Sequence, residues 1–558
     1  MAADPTLTLV SAMARLPRGP ERGFTFVGRD RVERYFSYAE LESEAQRRAS
    51  HLQAAGVQKG DRIALVIPEP HDFVLTFLGT IVAGAIPVPI FPRASFKKLD
   101  GYIDVLSHIV QTSGARLVFC QASNREIVQR LVERGVAAEA IQSVEEAFEG
   151  SAGRFEPPTI VPEDICFLQF TSGSTSRPKG VMVSHANLVA NAQAFLGPEG
   201  LDRREEDKGV SWLPLFHDMG LIGFVLGTLI CDIPVVLLPT ETFARSPRLW
   251  LETIAKHRGT ITYAPNFAYQ LVTKRVKDKE LADLDLSSLR IAGCGAEPIR
   301  AQTLLDFAEK FAPAGFDSKA LLPSYGMAEA TLAITFHPRG TEMVVDRVDA
   351  ETMKTGLAAP ASAQSQSALE LVGNGRTFPG HEIAIVDDEG QPLGERRIGQ
   401  VVARGPSITS GYFENPEATE ESWREGWLQT GDLGYFADGH LFICGRIKDL
   451  IIVRGANHYP QDIEWVVGDM EGVRRGNVFA FGVIQDGVET LVLAAESVRA
   501  DAERLRREIA ERVVAEFGLA PAHVAMLPVG TLPKTSSGKA QRRRAMQMYE
   551  AGELEEHP

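Results

Sequence analysis

The chain predicts an α/β fold with a smaller α+β domain behind it, and three observations carry that reading. Helical patterns alternate with short apolar runs through the first half of the sequence, as layered units with largely parallel strands require. A length of 558 residues exceeds what one hydrophobic core serves, so two or more domains are needed. After Gly445-Arg446 the pattern starts afresh, leaving about 110 residues, enough for an independent domain.

Taken in order, Ser37-Tyr38-Ala39-Glu40 has capping-box spacing and opens a helix through Leu41, Ala45, Ala49 and Leu52 that stops near Gly56. A strand over 62–67 and a helix over 71–83 follow. Residues 85–92, broken by Pro87, Pro89 and Pro92, read as an extended connection, 102–112 as a helix and 117–120 as a strand. A polar, proline-bearing connection spans 148–162. Further strands are expected at 166–170, 235–238, 260–263 and 290–292. The stretch 220–239 has the length of a membrane span, but Asp232 and Pro234 make it a buried helix, a turn and a buried strand.

From Met343 to Thr377 the sequence turns to Ala, Ser, Gln and Gly and offers no strong strand or long amphipathic helix, which marks an inserted or mobile element over about 349–377. Short strands at 381–386, 399–403 and 440–444, separated by Gly- and Pro-bearing turns, suggest a small antiparallel subdomain over about 378–445. In the last part, strands at 477–482 and 491–496 precede a helix in which Leu505, Ile509, Val513 and Phe517 recur every four residues before Gly518.

A formal net charge of −15 argues against general affinity for nucleic acid or an anionic membrane. Cys120, Cys166, Cys231, Cys294 and Cys444 are scattered without C-x-x-C spacing and mostly lie in apolar runs, as buried thiols of a reducing compartment do. The N-terminus lacks the charged start, apolar core and cleavage site of an export signal. A cytoplasmic location is expected.

The chemistry-bearing stretch is Thr171-Ser172-Gly173-Ser174-Thr175-Ser176-Arg177-Pro178-Lys179-Gly180, lying between the apolar run 166–170 and a helix start at Ser184. Glycines let backbone N–H groups converge on an anion, hydroxyls add donors and Lys179 adds a point charge. The plainer reading is a flexible Ser/Gly loop. A P-loop is a closer rival, but the order G-x-x-x-x-G-K-[ST] is absent.

Six further motifs follow in order: LPLFHDMG at 213–220, GCGAEP at 293–298, SYGMAEATL at 324–332, TGDLGY at 430–435, GRIKDLIIVRG at 445–455 and LPKTSSGKAQRR at 532–543. With the loop, the set resembles the superfamily of acyl-CoA synthetases, nonribosomal-peptide adenylation domains and luciferases. FHDMGL, SYGMAEATL, RGANHYPQDIE and the segment before GHEIAIVD resemble fatty acyl-AMP ligases within it. The resemblance implies a large N-terminal domain, residues 1–447, of two β-sheets flanked by helices plus a small barrel-like subdomain. A hinge is implied at Lys448-Asp449, with a mobile C-terminal domain over 450–558.

The implied reaction is attack of a fatty carboxylate on the α-phosphate of ATP, giving acyl-AMP and pyrophosphate. A carboxylic acid with a pKa near that of Glu, about 4.3, is already ionised and needs no general base. By resemblance Thr171, Ser172, Gly173, Ser174, Thr175 and Lys179 contact phosphates, and Glu329 with Thr175 holds Mg²⁺, which takes few carboxylates and keeps waters. Glu329 alternatively caps a helix start. Gly293, Gly295, Ala296, Glu297, Ser324, Tyr325, Gly326 and Met327, mostly small or flat residues at expected strand ends, would form the adenine slot, Tyr325 stacking on the base. Asp432, otherwise a turn former, would hold the ribose diol with Arg446. His217, otherwise a core histidine, is implied to position the substrate, and Lys539, otherwise part of a basic tail, to bridge carboxylate and α-phosphate. Apolar residues in 224–229 and 264–271 suit an acyl tunnel or core equally.

Ser176 stands where the family usually has Gly, which puts the loop's backbone shape in question. The leading expectation is transfer of the acyl group to the phosphopantetheine thiol of an acyl carrier protein. Transfer to CoA is the runner-up, and a non-catalytic acyl or nucleotide sensor is the alternative of another class.

Overall fold

The computed structural model describes residues 6–93, 99–151, 153–171, 177–362, 364–365, 368–485, 488–497, 501–535 and 538–557. Two sheets form the body of the N-terminal part. The larger runs in the order Arg376–Thr377, Ala333–Phe336, Leu321–Gly326, Ile291–Cys294, Ile261–Ala264, Gly209–Ser211, Val235–Leu237, Gly23–Val27, Glu33–Ser37. Its middle strands, from Leu321–Gly326 to Gly23–Val27, are parallel, and antiparallel strands close both edges. The second sheet is parallel, in the order Ile86–Pro89, Arg62–Val66, Leu117–Cys120, Ile141–Ser143. Parallel strands are covered on both faces and so read as continuous apolar runs; Leu117–Cys120 and Ile261–Ala264 are buried throughout.

The helix Tyr38–Ala54 starts on the expected box: Glu40 N–H donates to Ser37 Oγ at 3.3 Å and Ser37 N–H to Glu40 Oε2 at 2.7 Å. The stretch 220–239 folds as short helical turns, with a π-helical segment at Ile222–Leu226, followed by Val235–Leu237. Among the described residues no helix is long and apolar enough to cross a membrane.

Four segments depart from expectation. Residues 85–92 contain a strand, Ile86–Pro89, because a proline-bearing strand is tolerated at the sheet edge it occupies. The phosphate-loop region does not run straight from strand to helix. Lys179–Ser184 is a strand pairing antiparallel with Ile165–Thr171, Lys179 opposite Thr171, and only then does Ser184 cap His185–Leu196. Asp432 lies within the strand Trp427–Ala437, opposite Arg446 on His440–Arg446, not after a turn. The compositionally weak segment holds a ribbon, Val345–Asp349 with Ala368–Val372. Its alternation is half polar, so it becomes a strand pair only by docking.

The subdomain is antiparallel, with Glu382–Val386, Gly399–Arg404, Trp427–Ala437 and His440–Arg446 as its main strands. Beyond a 3₁₀ turn, Ile447–Asp449, the small C-terminal domain has its own sheet of Val473–Gln485, Val488–Ser497 and His523–Leu527. The helix Ala502–Phe517 presents Leu505, Ile509 and Val513 to that domain's separate core and ends at left-handed Gly518.

Candidate active site

A cleft of about 2330 Å³ lies between the two domains. Of the site residues expected from the sequence and described in the structure, Thr171, Lys179, His217, Gly295, Ala296, Glu297, Ser324, Tyr325, Gly326, Met327, Glu329, Asp432, Arg446 and Lys539 line it; Gly293 does not, because it lies inside the buried strand Ile291–Cys294, where the Tyr263 ring fills the space a Cβ would take. Ser172, Gly173, Ser174, Thr175 and Ser176 lie outside the described residues.

The wall is made by the ends of adjacent parallel strands, where open α/β sheets present their ligand crevice. Ser324 Oγ donates to Cys294 O at 3.2 Å, joining two of these ends. The chain turns tightly here: a Cβ on Gly326 would lie 1.9 Å from Leu332 O, so only glycine fits. Ala296 (φ 71°) and Thr331 (φ 68°) occupy left-handed backbone, which costs a β-branched residue most. Thr331 Oγ1 donates to Ser407 O at 2.7 Å, which anchors that turn beside Glu329. Tyr325 OH donates to Asp432 Oδ2 at 2.7 Å and Arg446 Nε to Oδ1 at 3.2 Å. The tyrosine hydroxyl is thereby fixed to the carboxylate expected to meet a ribose.

Glu329, Glu297 and Asp218 meet the cleft in different electrostatic settings. Burial raises the pKa of Glu329, although Tyr412 OH donates to its Oε1 at 2.7 Å and works the other way. Burial likewise raises Glu297, against the pull of Phe267 N–H at 2.7 Å, Lys539 and Lys534. For Asp218 burial also acts upward, but His217, whose Nδ1 lies 2.5 Å from Oδ1, together with Lys539 and Met219 N–H outweighs it and leaves the pKa at about 2. Asp218 is thus a fixed negative charge beside His217. Gln169 Nε2 donates to Phe216 O at 2.8 Å and ties this segment to the strand that leads into the phosphate loop.

Lys539 reaches this wall from the other domain. Burial lowers its pKa, Asp218, Glu297 and Asp432 favour its charged form, and Arg446 opposes it. The orientation that brings it there is held by Arg300 Nη1 donating to Asp469 Oδ1 at 3.1 Å, by Asn457 N–H donating to Lys354 O at 3.2 Å, and by Gln461 Nε2 donating to Cys444 O.

The model of AMP-binding enzymes matches residues 18–413. The chain belongs to the AMP-binding enzyme family. A second model, the AMP domain of Disco-interacting protein 2-like proteins, matches residues 448–557. A putative acyl-CoA synthetase of Caulobacter vibrioides is 39% identical over 92% of this chain and 90% of its own length. The medium-chain-fatty-acid–[acyl-carrier-protein] ligase JamA of Moorena producens is 32% identical over 93% and 90%. A solved structure from studies of fatty acyl-adenylate ligases of E. coli and L. pneumophila superposes with a TM-score of 0.93 at 36% identity, covering 99% of each chain. The protein is an adenylate-forming ligase of that fold.

Sequence reasoning missed several residues of the ligase cleft. Tyr412 engages Glu329 through its hydroxyl, while Lys179 Nζ lies 4.9 Å from its ring centroid, a cation–π distance. It thereby links the exit of the phosphate loop to the buried carboxylate. Thr409 N–H and Oγ1 both donate to Glu329 O, at 2.9 and 3.0 Å. The only sequence signal was a Gly-Pro-Ser turn ahead of Ser410-Gly411-Tyr412. Beyond the polar wall the ligase cleft continues along Phe224, Thr228, Tyr263, Leu271, Leu332 and Phe336. The two stretches expected to be tunnel or core serve both: Phe224, a core residue, and Leu271 line the cleft, whereas Val225, Leu226 and Ala268 pack in the core away from it.

The inserted ribbon docks. Val348, Met353, Ala358 and Leu371 pack with Tyr435 and Phe442 of the subdomain and with Tyr459 beyond the 3₁₀ turn. Asp346 Oδ2 accepts from Tyr435 OH at 2.8 Å and Arg396 Nη1 at 2.9 Å.

Proposed function

We propose that the ligase activates a medium- or long-chain fatty acid with ATP and passes the acyl group to the phosphopantetheine thiol of a holo-acyl carrier protein. In this reading the loop 171–180 takes the leaving pyrophosphate, the 295–297 and 324–327 segments take adenine, and Asp432 with Arg446 takes the ribose. His217 and Lys539 orient the substrate carboxylate against the α-phosphate. The protein's contribution is positioning and neutralisation of phosphoryl charge, since the nucleophile arrives ionised. Glu329, a hard oxygen donor steadied by Tyr412, fits a Mg²⁺ site, with Thr175 as its expected neighbour. Such an ion supplies further charge neutralisation on the phosphates. We place the domain boundary and hinge at Lys448-Asp449, within the 3₁₀ turn Ile447–Asp449.

The observation that carries the choice of acceptor is the docked ribbon. It touches both sides of the hinge, through Tyr435 and Phe442 before it and Tyr459 and Asn457 after it, and so resists the domain rotation a CoA thioesterification step requires. The printed name of the Caulobacter relative favours the second reading, a fatty acyl-CoA synthetase. A product assay with ATP, Mg²⁺, a fatty acid, CoA and a holo-carrier protein offered together separates them. Acyl-AMP and acyl-carrier product with little acyl-CoA is expected; efficient acyl-CoA formation sinks the carrier reading.

A further inference from the structure

Arg542 is the first residue of the helix Arg542–Glu550 and lies three residues beyond Lys539. A cation at a helix N-terminus opposes the helix dipole, so its place there is held by other groups. Its guanidinium forks onto Glu464, Nε to Oε1 and Nη2 to Oε2 both at 2.7 Å, while Nη1 donates to Asp449 Oδ2 at 3.0 Å. Two-point recognition of a carboxylate fixes direction as well as distance. The three side chains are 15%, 12% and 14% exposed, so water screens this triad little.

Each partner belongs to a different element. Asp449 ends the 3₁₀ turn between the domains. Glu464 lies on the helix Pro460–Gly468, and its Oε1 also accepts Ala480 N–H at 3.0 Å from the strand Val473–Gln485. The lysine loop, for its part, closes on itself. Thr535 N–H donates to Lys539 O at 2.8 Å, Lys539 N–H to Thr535 Oγ1 at 3.0 Å and Gly538 N–H to Thr535 O at 2.9 Å. A compact turn of this kind is aimed by whatever fixes its base, and Arg542 is at that base.

We infer that Arg542 is a positioning residue for adenylate formation: through Glu464 and Asp449 it clamps the base of the lysine loop to the hinge, so that Lys539 swings as one body with the hinge turn. The inference rests on Lys539 being the residue that completes the cleft. Arg542 is three residues from Lys539 and acts through it, since its own guanidinium is taken up by the two carboxylates.

The test uses the full chain and reads fatty-acid-dependent pyrophosphate release together with binding of lauroyl-adenylate. Arg542→Ala is expected to lower kcat about 30-fold, the scale of a small misplacement of a reacting group, with KM for ATP and Kd for lauroyl-adenylate within about twofold of wild type. Arg542→Lys is expected to recover only part of the loss, because an ammonium cannot fork onto Glu464. A kcat for Arg542→Ala within about twofold of wild type, alongside a Lys539→Ala variant that has lost adenylation, overturns the inference. A Lys539→Ala variant that keeps adenylation overturns the reading beneath it as well. If Arg542→Ala does not fold, the near-isosteric Glu464→Gln decides: a loss of about fivefold in kcat at constant KM is expected, and an unchanged kcat contradicts the proposal.

Discussion

The wall of the cleft and the lip that closes it are built by different means. The wall, residues 293–331 and 405–446, is over-determined: strand ends joined by Ser324, a turn that admits only glycine at 326, left-handed Ala296 and Thr331, and Asp432 held by Tyr325 and Arg446. The lip carrying Lys539 is held by a short set of polar contacts, Asp469 and Gln461 meeting Arg300 and Cys444 of the wall and Asn457 meeting Lys354 beside the ribbon, with the packing around Tyr459 behind them. On the proposed reading, the difference teaches that binding and chemistry are separable: the residues proposed to recognise the nucleotide are fixed within one domain, whereas the charge proposed to complete the reaction depends on how the C-terminal domain sits.

The sharpest break in the comparison comes from exchanging one residue on each side. Lys539→Ala is expected to lower fatty-acid-dependent ATP–pyrophosphate exchange about 10³-fold, because a preorganised cation at the reacting phosphoryl group is lost. Asp432→Ala on the wall should instead raise KM for ATP roughly tenfold with a smaller change in kcat, since the proposed ribose contact is remote from the chemistry. If both variants lost kcat alone, wall and lip would not be the separate devices described.

A smaller effect is expected where the two regions touch. Arg300→Ala removes the partner of Asp469 from the N-terminal domain; burial acts upward on that carboxylate's pKa, but Arg300 and Arg475 hold it below its ordinary value. Such a partly exposed pair contributes little to stability. The variant should keep the melting temperature and KM for ATP while adenylation falls about threefold, as the C-terminal domain spends less time in the closed orientation. An unchanged adenylation rate would remove this pair from the account.

A pH dependence, read in stability and not in rate, is expected at His458 on the strand Ala456–His458. Burial, assisted by Lys354 and opposed by Glu351, lowers the pKa of His458 to about 4. The unfolded chain takes up this proton at about 6.5 and the folded one does not, so the stabilisation is complete above about pH 6.5. It is lost as pH falls toward 4, up to about 3 kcal/mol. Thermal unfolding of His458→Gln should therefore be less acid-sensitive than wild type between pH 6.5 and 4; equal slopes would contradict the buried neutral state.

Much of the wall was legible in the sequence, because its chemistry demands residue types at fixed spacing: small residues at strand ends, a carboxylate opposite an arginine, a buried Glu329. Tyr412 was not, since an aromatic after a glycine reads as core and only the fold carries its hydroxyl to Glu329. The ribbon over Val345–Asp349 and Ala368–Val372 escaped for a related reason: its alternating polar pattern acquires a buried face only against Tyr435 and Phe442. The Arg542 triad reads as a basic tail until Glu464 and Asp449 are brought beside it. Phosphate recognition by Ser172 to Ser176 was legible as a motif and remains a sequence-based expectation.

The separation of binding from chemistry is tested most directly by the affinity of Lys539→Ala for lauroyl-adenylate, measured by titration calorimetry. The account predicts a Kd within about tenfold of wild type in a variant whose exchange rate has fallen about 10³-fold. A Kd that rises in step with the lost rate would contradict it, placing the lysine in the binding wall instead of on a lip that closes over a wall already formed.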